Sequence, residues 1–211
     1  MTTGTSKQTA APGREHINAL RAAQAIKEKH RQLRIRLTWV GVIVAVIGIV
    51  VAMMLSSRQE TSSAIKVAPD FTTLTSTSGT VVSLAALRGK NVLLYFSEGA
   101  GCQACLIQMN QIERDPDFAA AGLTVLPIVM NTKDQILADM AANDVRTPFL
   151  IDDGTVSTAY GTIGKGMHEG LPGHSFVLID KTGNQRWYGE YPSMFLSTAD
   201  LLKEIRAHLT A

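Results

Sequence analysis

The stretch "LTWVGVIVAVIGIVVAMML", Leu37 to Leu55, restricts the possible folds of this chain more than any other. Its 19 residues carry no charge. As a helix they reach roughly 28 Å at about 1.5 Å per residue, the hydrocarbon thickness of a bilayer. A helix buried in a soluble core is a poor fit, because the run has no polar face. A cleaved signal peptide is the better rival. Its apolar region is normally about 7–15 residues long and ends in small residues. Here the run is longer, ends in "AMML" and follows a long polar leader. The expectation is an uncleaved helix, residues 37–55, that spans a membrane once.

Charge sets its orientation. Residues 1–36 hold eight Lys or Arg against Glu15 and Glu28, a balance of +6, while the remainder of the chain carries −4. Five of those cations crowd the ten residues before Leu37, and Arg58 is the nearest after Leu55. The positive-inside rule places the tail in the cytoplasm and the acidic body outside. Trp39 suits the inner interface. Ile17, Leu20, Ile26, Leu33 and Ile35 share no helical face, so the tail reads as a solvated juxtamembrane segment rather than a nucleic-acid binder.

After the span, residues 56–67 are polar and rich in Ser and Thr, and they read as a flexible linker. The rest, 68–211, alternates strand and helix signals. "DFTTLTSTSGTVVSL" predicts a hairpin about a Ser-Gly turn. "NVLLYFS" is a continuous apolar strand of the kind covered on both faces. "LTVLPIVM" is another strand, with Pro127 arguing for an edge or bulged position. Helices follow over "TKDQILADMAAND" and "TVSTAYG", then a hairpin in "HSFVLIDKTGNQRWYGEY" and a closing helix in "STADLLKEIRAHL". This order implies an α/β fold, a mixed central sheet flanked by helices.

Both cysteines of the chain, Cys102 and Cys105, lie where the first long strand runs into a helix. A cysteine at a helix N-terminus meets unpaired N–H groups and the positive end of the helix dipole, which favour thiolate. Cys105, one turn in, is shielded and placed to resolve a mixed disulfide at Cys102. Gly99 and Gly101, in a flexible "EGAG" lead-in, would admit partner backbone. Three other readings stay open. A structural clip across four residues removes little chain entropy. A zinc site lacks a second cysteine pair. A Cu(I) site would join Cys102 and Cys105 to a histidine.

On "APDFTTLTSTSGTVVSLAALRGKNVLLYFS", the cysteine pair, "FLIDDGTVSTAYG" and "FVLIDKTGNQRWYGEY", the body resembles the thioredoxin-like superfamily. The likeness is to membrane-anchored TlpA/ResA-type thiol-disulfide oxidoreductases and the neighbouring AhpC/TSA-redoxin branch, and it covers nearly all of residues 68–210. It implies a thioredoxin-like fold with an inserted strand–helix unit and an extracytoplasmic redox role without a bound cofactor. The implied partners are exported cysteine-containing proteins such as cytochrome c precursors, and a membrane electron carrier for recycling.

The chain also departs from that pattern. Gly101 stands where tryptophan usually precedes the first cysteine. Gln108 replaces a glutamate that could accept a proton, and Glu98 is the nearby carboxylate that could substitute. The family places a cis-proline beside the pair, six residues before the strand-ending aspartate. Counting back from Asp180 gives His174, with Pro172 two residues earlier. Either Pro172 still packs on the disulfide or His174 fills the slot. A charged His174 could stabilise the Cys102 thiolate, or His174 could complete a copper site as in Sco-type proteins. His168 is a second candidate histidine. In the peroxiredoxin pattern, a proline and a threonine precede the reactive cysteine by seven and three residues. Tyr95 and Gly99 occupy those positions, so peroxidase chemistry is the weaker expectation.

Overall fold

The structure, a computed structural model, describes residues 12–56, 59–164 and 169–209. The chain divides into two compact units, residues 1–56 and 57–211. The first holds one helix, α1 (Pro12–Ser56), so residues 12–36 of the basic tail and the apolar run form a single continuous helix. Within it Lys27–Met53 is long and apolar enough to cross a membrane.

The second unit begins with β1 (Glu60–Ser62) and β2 (Lys66–Val67), then the hairpin β3 (Leu74–Ser76) and β4 (Val81–Val82), and a 3-10 turn at Ala85–Leu87. There follow β5 (Asn91–Phe96), α2 (Gln103–Arg114), α3 (Pro116–Ala120), β6 (Leu123–Val129), α4 (Lys133–Ala142), β7 (Leu150–Ile151) and α5 (Thr155–Ala159). The chain closes with β8 (Ser175–Ile179), β9 (Asn184–Glu190) and α6 (Thr198–Leu209). The strands order as β1-β9-β8-β5-β6-β7-β3-β4, with β2 also on β9. The pairs β5/β6 and β6/β7 are parallel, and β5/β8 and β8/β9 are antiparallel. This is the expected mixed sheet flanked by helices.

Alternation along β5 divides the core. Leu93 and Tyr95 join Leu106, Met109 and Ile112 of α2 and Leu201, Leu202 and Ile205 of α6 on one face. Val92, Leu94 and Phe96 face Phe71, Leu74, Val156 and Tyr160 on the other. Both faces are covered, which is why β5 reads as an unbroken apolar run.

Caps mark the helix starts. Thr132 and Gln135 form a reciprocal capping box at α4. Ser197 Oγ accepts from Asp200 N–H at 3.1 Å to open α6. Buried Asp152 accepts from Val156 and Ser157 N–H at 3.1 and 2.8 Å and opens α5.

Two expectations change. The flexible linker at 56–67 contributes β1 and β2, whose exposed residues pair along β9, because that outer strand otherwise presents unpaired N–H and C=O groups. Pro127 is not on an edge strand, since β6 lies between β5 and β7. It is tolerated because the β7 ladder begins only at Ile128, one residue later, so at Pro127 β6 has the β5 neighbour alone.

Candidate redox site

Cys102 is the N-cap of α2, and its Sγ accepts from the Cys105 N–H at 3.3 Å. The two cysteines form a disulfide with Cα atoms 5.4 Å apart. Cys102 retains 9% of its surface and Cys105 none, so of the two only Cys102 borders solvent. The asymmetry follows from position: the cap residue is at the helix mouth, while a residue one turn in faces the sheet.

The loop before Cys102 is held firmly. Gly99 adopts φ +71°, and a Cβ there would lie 2.1 Å from Asn131 Oδ1 and 2.6 Å from Val129 Cγ1. Ala100 N–H donates to Asn131 Oδ1 at 2.9 Å, and Gly101 N–H to Asp139 Oδ2 at 2.7 Å. The "EGAG" segment is therefore pinned by the end of β6 and by α4, and it is not the flexible lead-in its glycines suggested. Gly101 itself borders open space, with nothing within 4 Å of where a Cβ would stand. The slot usually filled by tryptophan is open beside the outer sulfur.

Beneath the pair lies a polar contact that sequence reading only half located. Tyr95 Oη is 3.1 Å from the Cys105 carbonyl oxygen and 3.2 Å from His174 Nδ1, and His174 Nδ1 is 3.9 Å from Cys105 Sγ. Tyr95 stacks on Phe176 at 4.8 Å, and His174 meets both rings edge-on. Both Tyr95 and His174 are sealed from solvent. Burial pushes the His174 pKa down to about 3 and that of Tyr95 well above its ordinary value, so both are neutral near pH 7.

One open alternative closes here and two site expectations change. His174, not a cis-proline, lies against the cysteine pair: among the described residues no peptide bond is cis, and Pro172 instead bridges Ile163. His174 is not charged, because burial without a carboxylate partner disfavours imidazolium. Its sulfur contact is to Cys105, not Cys102.

The remaining candidates are dispersed. Gln108 is fully buried, and its Oε1 accepts from the Leu196 N–H at 2.8 Å, which ties α2 to the segment before α6. Glu98 is half-buried in the loop four residues before Cys102. His168 lies outside the described residues. Among those described, no three His, Cys, Asp or Glu side chains gather as a metal-holding group.

Tyr95, Asn131 and Asp139 were missed as site residues. Tyr95 left a signal, a hydroxyl in an otherwise apolar strand, which must find a partner when buried. Asn131 and Asp139 left none, because only the pairing of β6 with β5 and the packing of α4 beside α2 bring them to the loop.

The AhpC/TSA family matches residues 65–188. A Mycobacterium tuberculosis protein provisionally described as a peroxiredoxin is 35% identical over 100 residues, which cover 46% of this chain and 63% of that relative's length. Among solved structures, a Bacteroides thetaiotaomicron protein provisionally described as a disulfide isomerase is 27% identical, with a TM-score of 0.54 over 69% of this chain and 89% of its own. The reduced 2-Cys peroxiredoxin of Plasmodium vivax has a TM-score of 0.59 at 22% identity, over 69% of this chain and 96% of its own. At that identity the second likeness speaks for the thioredoxin-like fold alone.

Proposed function

The chain belongs to the AhpC/TSA family, and on that premise we propose that it is a membrane-tethered thiol-disulfide oxidoreductase acting through Cys102 and Cys105. The carrying observation is the asymmetry of the pair: Cys102, at a helix cap, keeps 9% of its surface, and Cys105 behind it keeps none. Exchange begins with an accessible sulfur and ends with a protected one.

In the reducing direction the Cys102 thiolate attacks a substrate disulfide, and one substrate sulfur departs and takes a proton from solvent. Cys105 then attacks Cys102 Sγ in the mixed disulfide. The Cys102–Cys105 bond forms, and the second substrate sulfur leaves as a thiolate that takes up the proton Cys105 gave up. Two electrons pass from the pair to the substrate. The first turn of α2 favours the Cys102 thiolate through its free N–H groups and the helix dipole.

In this reading residues 1–36 lie in the cytoplasm, 37–55 cross the bilayer and 68–211 work outside. The domain serves exported cysteine-containing proteins, cytochrome c precursors among them, and a membrane electron carrier recycles it. No bound cofactor takes part.

A second reading, peroxide reduction, draws on the 35% identity to the mycobacterial relative. It lacks the peroxiredoxin proline and threonine, whose positions hold Tyr95 and Gly99.

One assay separates the readings. Full-length protein in detergent, recharged by a chemical dithiol, should reduce the disulfides of insulin, and Cys102→Ser should abolish that activity. Hydrogen peroxide consumption faster than insulin reduction would transfer the assignment to the peroxidase. Stoichiometric Cu(I) binding that needs His174, with no exchange, would replace both with a copper carrier. Unchanged function in cells carrying Cys102→Ser and Cys105→Ser together would reduce the pair to a structural clip.

A further inference from the structure

We infer that the His174 Nδ1–H is the hydrogen-bond donor that stabilises the Cys105 thiolate, with Tyr95 holding this donor while the disulfide is closed. The inference rests on the oxidoreductase reading and assigns the acid–base support of its buried sulfur.

Proton counting identifies the donor. The Tyr95 hydroxyl has one proton and, besides the buried Ser97 side chain that can donate to its oxygen, two contacts, the Cys105 carbonyl and His174 Nδ1, at 3.1 and 3.2 Å. A carbonyl only accepts. Both contacts are satisfied when Tyr95 donates to the carbonyl and Nδ1–H donates to Tyr95 Oη. The same N–H is 3.9 Å from Cys105 Sγ, so it lies within reach of both an oxygen and a sulfur. His174 Nε2 is buried with no protein partner. Left as a bare lone pair it is the more tolerable orphan, since buried unpaired N–H groups are the rarer case.

The chemistry needs such a donor. During resolution Cys105 must carry negative charge where no water reaches, since its side chain is wholly buried. An unpaired buried anion is costly. The carboxylate position nearby holds Gln108, whose oxygen is engaged by Leu196. A disulfide sulfur is a weak acceptor and a thiolate a strong one. Opening the disulfide therefore draws Nδ1–H from Tyr95 toward Cys105, and closing it returns the proton contact to Tyr95. A neutral donor suits both states, because a fixed positive charge would be stranded once the disulfide closed.

The neighbouring elements bring few other titratable groups here. Cys102 precedes α2, Glu190 pairs with Ser175 at the end of β9, and Tyr191 N–H donates to the His174 carbonyl at 2.8 Å. Burial first, with Glu204 and Asp200 adding to it, raises the Tyr191 pKa to about 12, so this phenol stays neutral near pH 7.

The test titrates Cys105 by thiolate ultraviolet absorbance in the full-length Cys102→Ser variant, alone and with further changes. Adding His174→Phe should raise the midpoint by about one pH unit or more, a tenfold loss of thiolate at fixed pH. His174→Asn, whose amide N–H can stand in for Nδ1–H, should recover most of that loss. Tyr95→Phe, which removes the competing acceptor, should lower the midpoint. Equal midpoints across the series overturn the inference. Should His174→Phe fail to fold, histidine nitrogen NMR of the wild type decides. An Nδ1–H tautomer in both redox states, with its proton resonance moving on reduction, supports the inference, and an Nε2–H tautomer in the reduced form overturns it. Insulin reduction is scored separately: its absence removes the oxidoreductase reading, while shifted midpoints still support the hydrogen bond.

Discussion

His174 enters the fold without a second proton, and that has a consequence for stability. Burial holds its pKa at about 3, below the ordinary histidine value of about 6.5. Between those values the unfolded chain binds a proton that the folded chain refuses. The stability is therefore complete above about pH 6.5 and is lost as the pH falls toward 3. Urea denaturation of the disulfide form should show the wild type losing roughly 3 kcal/mol more than His174→Asn between pH 7 and pH 4. Equal losses would place the imidazole in contact with water. The identity of this residue was visible beforehand by counting back from Asp180. Its state was not, because charge depends on what surrounds the ring, and those neighbours come from β5, α2 and β8. Gln108 is the companion case: its amide was legible as a missing acid, but its bond to Leu196, 88 residues away, was not.

At the scale of elements, the segment from β5 to α2 carries the site, and its geometry depends on a backbone without a side chain at Gly99. Alanine there would need a left-handed φ and would overlap Asn131 and Val129. The expected cost is roughly 2–4 kcal/mol, read as a lowered urea midpoint. Loosening this turn should also speed alkylation of reduced Cys102, whereas Gly101→Ala, which adds a methyl toward open space at a similar φ, should pay only the backbone term. If both variants alkylate at the wild-type rate, the anchoring by Asn131 and Asp139 does not control access. The strand–helix order around this segment was readable from periodicity, caps and turn residues, since these are local. The pairing of residues 60–62 and 66–67 with β9 was not, because an exposed edge recruits whatever polar, β-prone chain lies within reach.

For the whole molecule, the division of labour between α1 and the sheet domain gives a topological prediction. A phosphatase reporter that folds only outside the cytoplasm, fused after Ala211, should be active in cells. It should lose activity when Lys27, Lys29, Arg31, Arg34 and Arg36 are exchanged for glutamine and cations are placed after Leu55. Activity unaffected by the exchange would remove the charge argument for orientation. The sequence alone determined the apolar run's length, the helix that carries it, the alternation of strands and helices, and the cysteine pair at a strand-to-helix junction. Each of these depends on residues close together in the chain. Tertiary structure alone decided which cysteine is sheltered, that Asn131 and Asp139 brace the approach to the pair, and that an uncharged imidazole lies between a phenol and Cys105. Those outcomes depend on burial and distance, which arise only when segments far apart in sequence are packed against one another.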